Sequence, residues 1–203
     1  MRTLLVLALI ISCFLSGCIS NPINAKTGAK YYEWGMEAER NGDLPLARQN
    51  YSRAYANAQM GNLGPAREAY AMYEWSRVTG YLGMYADAEK GFNDVLILID
   101  KAGEEAEQLR PPALLELARL LHDTGQHGKA VPVYEKALVE LDKHDIEKAD
   151  PIGFTLVLDD YSQSLRAVGN VARSDEIAAR SQAIKDANEG VTAKFVGKRY
   201  KNP

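Results

Sequence analysis

Residues 114–143 read LLELARLLHDTGQHGKAVPVYEKALVELDK, and this stretch contains the pattern that decides the fold. Before Gly125, leucines and a small residue recur at intervals of three, four and seven, which places them on one face of an amphipathic helix. After Gly125, a second helical run carries Ala130, Tyr134 and Ala137 on one face. A glycine between two such runs supplies the left-handed turn that ends the first helix. The stretch therefore predicts two helices joined by a short turn.

The same pattern occurs four times along the chain. Each copy has a glycine, a small residue five positions later, and an aromatic or small residue four positions after that. The copies are Gly42…Ala47…Tyr51, Gly83…Ala88…Phe92, Gly125…Ala130…Tyr134 and Gly169…Ser174…Ala178. Their small residues are 41, 42 and 44 positions apart. Repetition at such a period predicts a solenoid of stacked helix pairs.

A large residue followed directly by a small one stands upstream of each glycine. The four pairs are Trp34-Gly35, Trp75-Ser76, Leu117-Ala118 and Tyr161-Ser162. A small side chain lets two helix backbones approach, and the large neighbours fill the space around it. We therefore expect the two helices of each copy to pack closely. Asp43-Leu44-Pro45 and Asp150-Pro151 add the cap-then-proline order typical of helix starts.

The repeated pattern resembles the tetratricopeptide repeat (TPR), whose signature combines a large–small pair, a glycine turn and alanine followed four positions later by an aromatic residue. The resemblance covers about residues 28–187, and we place the repeat domain at 29–188. It implies an all-α fold, a right-handed solenoid of about four antiparallel helix pairs, with a concave groove lined by the first helix of each pair. The long period is similar to that of kinesin light chain repeats.

Two features depart from the usual repeat. The proline that normally closes each unit is missing, and other residues stand near its place: Gln59, Asp100, Asp142 and Asp186. The fourth copy has Ser174 and Ala178 where alanine and an aromatic residue are expected, as a terminal cap can have. The alternative fold is a bundle of helical hairpins without a defined curvature.

The first eighteen residues predict export and lipid attachment. A short positive start is followed by about twelve mostly apolar residues, a length typical of a signal peptide and too short for a membrane span. Leu15-Ser16-Gly17-Cys18 then resembles the bacterial lipobox. The resemblance implies cleavage of a signal peptide, residues 1–17, and attachment of diacylglycerol and a further acyl chain such as palmitate to Cys18. A signal anchor or an ordinary signal peptide is the alternative.

The mature chain that this cleavage would leave is acidic and lacks free thiols. Cys13 is lost with the signal peptide and Cys18 carries the lipid, so no disulfide or thiolate metal ligand remains. Loss of Arg2 leaves 23 basic and 27 acidic residues in 186, a net charge of −4. This balance disfavours nucleic-acid binding by counterion release. Residues 18–28 would form the lipidated N-terminus and a polar tether.

Candidate partner-binding residues lie on the first helices, at positions that face away from the packed stripe. They are Tyr32, Met36, Tyr73, Arg77, Tyr81, Arg119, Gln163 and Arg166. Arg77, Arg119 and Arg166 fall at similar places in consecutive repeats, and arginines beside tyrosines suit a peptide with carboxylates and apolar side chains. Alternatively, Arg77 and Arg119 pair with the glutamates three residues before them, and the tyrosines pack between pairs.

The sequence predicts no catalytic or metal site. His122 and His127 are five positions apart across a turn, so we expect exposed turn histidines rather than a metal site. Glu104-Glu105 and Asp159-Asp160 are adjacent carboxylates that point in different directions on a helix, so we expect solvated faces rather than acid–base pairs. We therefore predict that the chain is not an enzyme and holds no cofactor besides the covalent lipid.

Residues 189–203 form a basic tail, with Lys194, Lys198, Arg199 and Lys201 against Glu189. We expect a flexible, solvated end, with contact to anionic lipid or a partner as the alternative.

Together these features predict a membrane-anchored envelope lipoprotein that acts as a scaffold or adaptor for a protein or peptide partner. The alternative is a fixed structural subunit, a pilotin or an assembly factor of an envelope complex. Ile19 follows the lipidated cysteine, where aspartate favours retention in the inner membrane, so we expect the outer membrane, facing the periplasm.

Overall fold

The structure is a computed structural model that describes residues 21–201. All regular secondary structure in this part of the chain is helical. Its α-helices are α1 (Pro22–Arg40), α2 (Leu44–Met60), α3 (Pro65–Tyr81), α4 (Tyr85–Ala102), α5 (Arg110–Asp123), α6 (His127–Lys143), α7 (Ile146–Ala149), α8 (Pro151–Ala167) and α9 (Val171–Ala187). Two 3₁₀ turns, Gly103–Glu105 and Glu107–Leu109, separate α4 from α5. Between residues 21 and 201, no helix has the length and apolar character needed to cross a bilayer.

The eight long helices form four antiparallel pairs, α1–α2, α3–α4, α5–α6 and α8–α9. In the turn between the two helices of each pair, the predicted glycine has a left-handed backbone conformation. Its φ is +78° at Gly42, +79° at Gly83, +76° at Gly125 and +83° at Gly169. The residue after each glycine donates its N–H to a carbonyl five residues earlier, for example Gln126 to Leu121 at 2.8 Å. This bond satisfies a helix-end carbonyl and confirms the predicted turns.

The core follows the repeated motif. The small residues Ala47, Ala88 and Ala130 are fully buried, and so are the aromatic rings four positions later. In the first pair, a Cβ on Gly35 would lie 2.6 Å from the Tyr51 ring, closer than a carbon atom can approach. Close packing of the two helices therefore requires glycine as the small member of the Trp34-Gly35 pair.

The fourth pair forms although its motif is degenerate. Ser174 and Ser181 are buried, and each hydroxyl has a partner inside the pair. Ser174 donates to the Ser162 carbonyl at 2.9 Å, and Ser181 donates to Asp159 at 2.6 Å. These bonds offset the cost of burying the two hydroxyls where alanine is expected. Asp159 and Asp160 are thus engaged with neighbours and do not form the solvated face that the sequence predicted.

The helical domain begins earlier than predicted. Helix α1 starts at Pro22, and the residues predicted to be tether up to 28 include its first two turns. Asn21 caps this helix by accepting hydrogen bonds from the N–H groups of its first turn. Proline also stands in the first turn of the first helix of every later pair, at Pro65, Pro111 and Pro151. The repeat proline is therefore displaced to the start of the following pair, where its missing N–H costs nothing.

The predicted signal peptide and the lipid-attachment residue Cys18 lie outside the described residues.

Candidate functional site

The tail folds back across the first helices of pairs two, three and four. The sequence predicted that residues 189–203 are solvated, but the described part contacts α3, α5 and α8 without forming regular structure of its own. Tyr200 is only 4 % exposed. The tail thus occupies the surface that the TPR resemblance assigns to partner binding, because many polar and aromatic groups there match its side chains.

Tyr200 fills a socket made by Gly80, Tyr81, Tyr85, Glu116 and Asp123, which we call the Tyr200 socket. Its ring stacks on Tyr81 with 5.0 Å between ring centroids, and its hydroxyl donates to Glu116. Its N–H donates to Asp123 at 2.8 Å, and its carbonyl accepts from the Tyr85 hydroxyl at 3.0 Å. The socket therefore holds both the side chain and the backbone of Tyr200.

Glycine at residue 80 makes room for this ring. A Cβ on Gly80 would lie 2.4 Å from Cε1 of Tyr200, which is inside the repulsive range. Burial raises the pKa of Tyr200, and it raises that of Tyr81 to about 12. Both hydroxyls therefore stay protonated at neutral pH, and Tyr200 remains a donor to the Glu116 carboxylate.

Arg199, next to Tyr200, joins two carboxylates from different helices. Its guanidinium contacts Asp123 at the end of α5 and Asp160 of α8, the latter at 2.6 Å. The Asp123 and Asp160 side chains are 4 % and 14 % exposed. Buried carboxylates need a cation or several donors, and Arg199 supplies the charge for both.

A second attachment point lies at Asp150, where the tail enters the groove. The Asp150 carboxylate caps α8 through the N–H of Gly153 and also accepts the N–H groups of Lys194 and Phe195, at 3.0 to 3.2 Å. Burial alone would raise the pKa of Asp150, but these backbone donors outweigh it and hold the pKa below its usual value. Between the two attachment points, Phe195 and Val196 remain 80 % and 72 % exposed.

A cavity of about 950 Å³ lies beside the tail, between α5 and α8. Its apolar lining includes Leu115, Leu141, Phe154, Leu156 and Val157, and residues 194–197 form part of its wall. Tyr134 also contributes to the lining, and its buried hydroxyl has no hydrogen-bond partner within residues 21–201. The tail therefore fills the socket and leaves an apolar part of the groove open.

The structure brings some of the predicted groove residues together. Tyr81 contacts the tail directly, Arg119 lies against Gly197, and Arg119 and Gln163 both line the cavity. Tyr32 donates to Glu74 at 3.4 Å, and the Tyr73 ring packs edge-on to Phe92. Met36 is 43 % exposed on α1, and Arg166 pairs with Asp175 of α9.

The arginines of the predicted ladder are neutralised by carboxylates of this chain. Arg77 binds Glu74 at 2.7 Å and Glu39 at 2.8 Å. Arg119 binds Glu116 at 2.7 Å. The pairing with the glutamate three residues earlier, which the sequence offered as the alternative, is therefore formed at both positions. Asp123 and Asp160 instead pair with Arg199 of the tail.

The histidines differ from their prediction as exposed turn residues. The antiparallel pair brings the rings of His122 and His127 to 5.3 Å between centroids, and both Nδ1 atoms contact Ser164 Oγ, at 2.9 and 3.3 Å. His122 Nε2 lies 3.6 Å from Asp160. Ser164 is fully buried, so its hydroxyl is closed to a substrate in this structure and links pair three to pair four. Within residues 21–201, no group of three or more potential metal ligands converges.

Sequence reasoning found Tyr81 but missed the other residues that hold the tail. Tyr85, Glu116, Asp123 and Asp160 belong to no periodic pattern, and Tyr200 lies 77 to 115 positions from its hydrogen-bond partners. One signal was present: Gly80, near the end of α3, belongs to no turn, and a glycine in a helix is disfavoured unless something needs the space.

No family model and no curated protein matches this sequence. Two kinds of solved structure are similar in fold. The first is a putative kinesin light chain from Podosopora anserina with nearly identical TPR-like repeats, with a TM-score of 0.63, 19 % identity and coverage of 83 % of this chain and 82 % of that chain. The second is BtubC (BKLC) from P. vanneervenii, with a TM-score of 0.69, 15 % identity and coverage of 84 % and 68 %. These likenesses confirm the all-α, TPR-like solenoid.

Proposed function

We propose that this chain is a lipid-anchored envelope protein that acts as an interaction scaffold, binding extended segments of partner proteins in the groove. One observation carries the proposal: the groove already holds an extended peptide, the chain's own tail, through side-chain and backbone contacts. TPR-like folds bind protein partners in general, and the open apolar cavity beside the tail offers surface for one. Leu15 to Cys18 support lipid anchoring, and Ile19 after the cysteine favours the outer membrane, facing the periplasm.

The alternative is a fixed subunit or assembly factor of an envelope complex, held through the opposite surface. Ile97 of α4 lies five positions after the buried Phe92, and Val139 of α6 lies five positions after the buried Tyr134. The two residues are 51 % and 57 % exposed. Apolar side chains at equivalent places on successive second helices favour a permanent contact there, although single exposed apolar residues are common.

Capture of crosslinked partners from native envelopes tests both. The affinity tag belongs between Glu104 and Glu105, in an exposed connection, because a tag after Pro203 would follow the buried Tyr200 by three residues. Leu156→Glu places a charge in the cavity, and Val139→Glu is the matched control on α6. The scaffold predicts that the first variant loses the partners and the second keeps them. Loss only with Val139→Glu would favour the fixed subunit.

The anchor is tested separately with Cys18→Ser. We expect this variant to leave the membrane fraction while its groove stays intact. Retention of Cys18→Ser in membranes washed with high salt would contradict lipid anchoring.

A further inference from the structure

Removal of the tail would leave the carboxylates of Asp123 and Asp160 without the guanidinium that pairs with both. Asp123 and Asp160 share Arg199 as their ion-pair partner in the described part of the chain, apart from a 3.6 Å contact between Asp160 and His122. With the tail in place their side chains are only 4 % and 14 % exposed, so a segment that covers them instead must bring its own positive charge. A guanidinium fits best because one planar group reaches both carboxylates.

The neighbouring position calls for an aromatic residue with a hydroxyl. Gly80 leaves a space the size of a ring edge, Tyr81 provides a stacking surface, and Glu116 accepts a hydrogen bond from the hydroxyl. Asp123 and Tyr85 bind the N–H and the carbonyl of the same residue. These contacts together recognise an arginine followed by a tyrosine in an extended backbone.

The tail has the character of a bound ligand rather than of a core element. It has no regular structure, it is attached at Asp150 and at the socket, and the apolar side chains between these points face solvent. The chain leading to it, after α9 ends at Ala187, is short, and such a connection gives a local concentration on the order of millimolar. The tail therefore prevents weakly binding peptides from entering the groove, but a segment that makes additional contacts can displace it.

We propose that Gly80, Glu116, Asp123 and Asp160 form a receptor site for an Arg–Tyr sequence in an extended segment of a partner protein, which replaces the chain's own Arg199 and Tyr200. The partner segment continues into the cavity beside α8, where it gains the contacts that the tail lacks. This inference rests on the proposed scaffold function and names the chemistry of its partner. It also reverses the charge expected from the sequence, since the segment is basic rather than acidic.

The test uses the full chain in detergent and a labelled peptide of residues 190–203, GVTAKFVGKRYKNP, as probe. The protein variant Tyr200→Ala empties the socket and should bind the peptide saturably in fluorescence polarisation. Wild-type protein should bind it about tenfold or more weakly, because its own tail competes at high local concentration. Adding Gly80→Ala to the emptied protein should abolish binding, since the new Cβ fills the ring space. Peptides carrying Arg199→Glu or Tyr200→Ala should not bind.

The same measurements can overturn the inference. Equal binding to wild type and Tyr200→Ala places the peptide elsewhere, and absence of binding to Tyr200→Ala makes the tail a fixed part of the fold. A dimer of the wild-type chain with exchanged tails would assign the site to a second copy. Thermal denaturation shows whether the Gly80→Ala double variant is folded, as expected because alanine favours helix more than glycine. None of these results depends on Leu156, so the envelope capture still decides the scaffold function independently.

Discussion

The unpartnered hydroxyl of Tyr134 leads to a stability prediction that can be compared across repeats. Tyr51, Phe92 and Tyr134 occupy the same position of successive repeats, and all three rings are buried. The Tyr51 hydroxyl donates a hydrogen bond to Glu39 at 3.2 Å, and Phe92 has no hydroxyl. The hydroxyl of Tyr134 is buried without a partner among residues 21–201. Burial raises the pKa of Tyr134, so the group is a neutral phenol at neutral pH.

The expected energies have opposite signs at the two tyrosines. A buried polar group without a hydrogen bond costs about 1–3 kcal/mol, and a hydrogen bond to a charged acceptor contributes about 1.5–3 kcal/mol. Tyr134→Phe removes such a cost and leaves a void of one oxygen atom, so we expect the free energy of unfolding to rise by about 1 kcal/mol. Tyr51→Phe removes a bond to Glu39 and should lower the free energy of unfolding by about 1 kcal/mol or more.

Urea denaturation followed by far-ultraviolet circular dichroism measures both changes in the same buffer. The urea concentrations at the unfolding midpoints of the two variants should move in opposite directions. The dependence of the free energy of unfolding on urea concentration should stay unchanged. In thermal scans, the Tm of Tyr134→Phe should rise by about 2–4 °C, as a chain of this size gives for each kcal/mol. A loss of stability in Tyr134→Phe as large as in Tyr51→Phe would refute the reasoning, since it would show that the Tyr134 hydroxyl is satisfied in solution.

Two further predictions concern close packing and pH. Gly35→Ala should lower the free energy of unfolding. Overpacking against the buried Tyr51 ring costs about 1–3 kcal/mol, whereas the helix preference of alanine over glycine returns only about 1 kcal/mol. Gly128→Ala is the control and should be neutral or stabilising, because its Cβ would meet no atom within 4 Å beyond its chain neighbours and its own helix backbone. Burial is the main cause that holds the pKa of His122 below 6.5, with Asp160 opposing it and Arg199 adding to it, so protonation favours the unfolded state. Stability should therefore fall as pH drops below about 6.5, and His122→Gln should reduce this dependence.

Local rules were sufficient to predict the helix pairs from the sequence. The four left-handed glycines, the buried small residue of each copy and the buried aromatic of the first three copies stand where the pattern predicted them, while Ala178 of the fourth copy is exposed. Each of these depends on residues within one turn or one helix pair, where spacing determines geometry. The early start of α1 could also have been predicted, because Asn21-Pro22 shows the same cap-then-proline order as Asp150-Pro151.

The site was not predictable by the same means, because its contacts join residues far apart in sequence. Tyr200 reaches Asp123 and Glu116 across 77 and 84 positions, and no periodic pattern connects them. Composition predicted a solvated basic tail from its charges alone. One of those charges, Arg199, instead meets carboxylates on α5 and α8 that appeared in the sequence as ordinary helix-surface residues. The tail docks because of this complementarity, which becomes visible only when the helices are placed side by side.

Internal ion pairing changes the partner chemistry expected of this groove. Arg77 and Arg119 suggested a surface for acidic peptides, yet each is already bound to carboxylates of the same chain at 2.7 to 2.8 Å. An acidic ligand could bind Arg77 or Arg119 only by breaking their pairs with carboxylates of this chain. It would also lie near Asp123 and Asp160, which would repel it. A basic ligand keeps the internal pairs and neutralises the two aspartates. We therefore expect the groove to favour a cationic, aromatic segment over an acidic one, although its first helices carry the arginines.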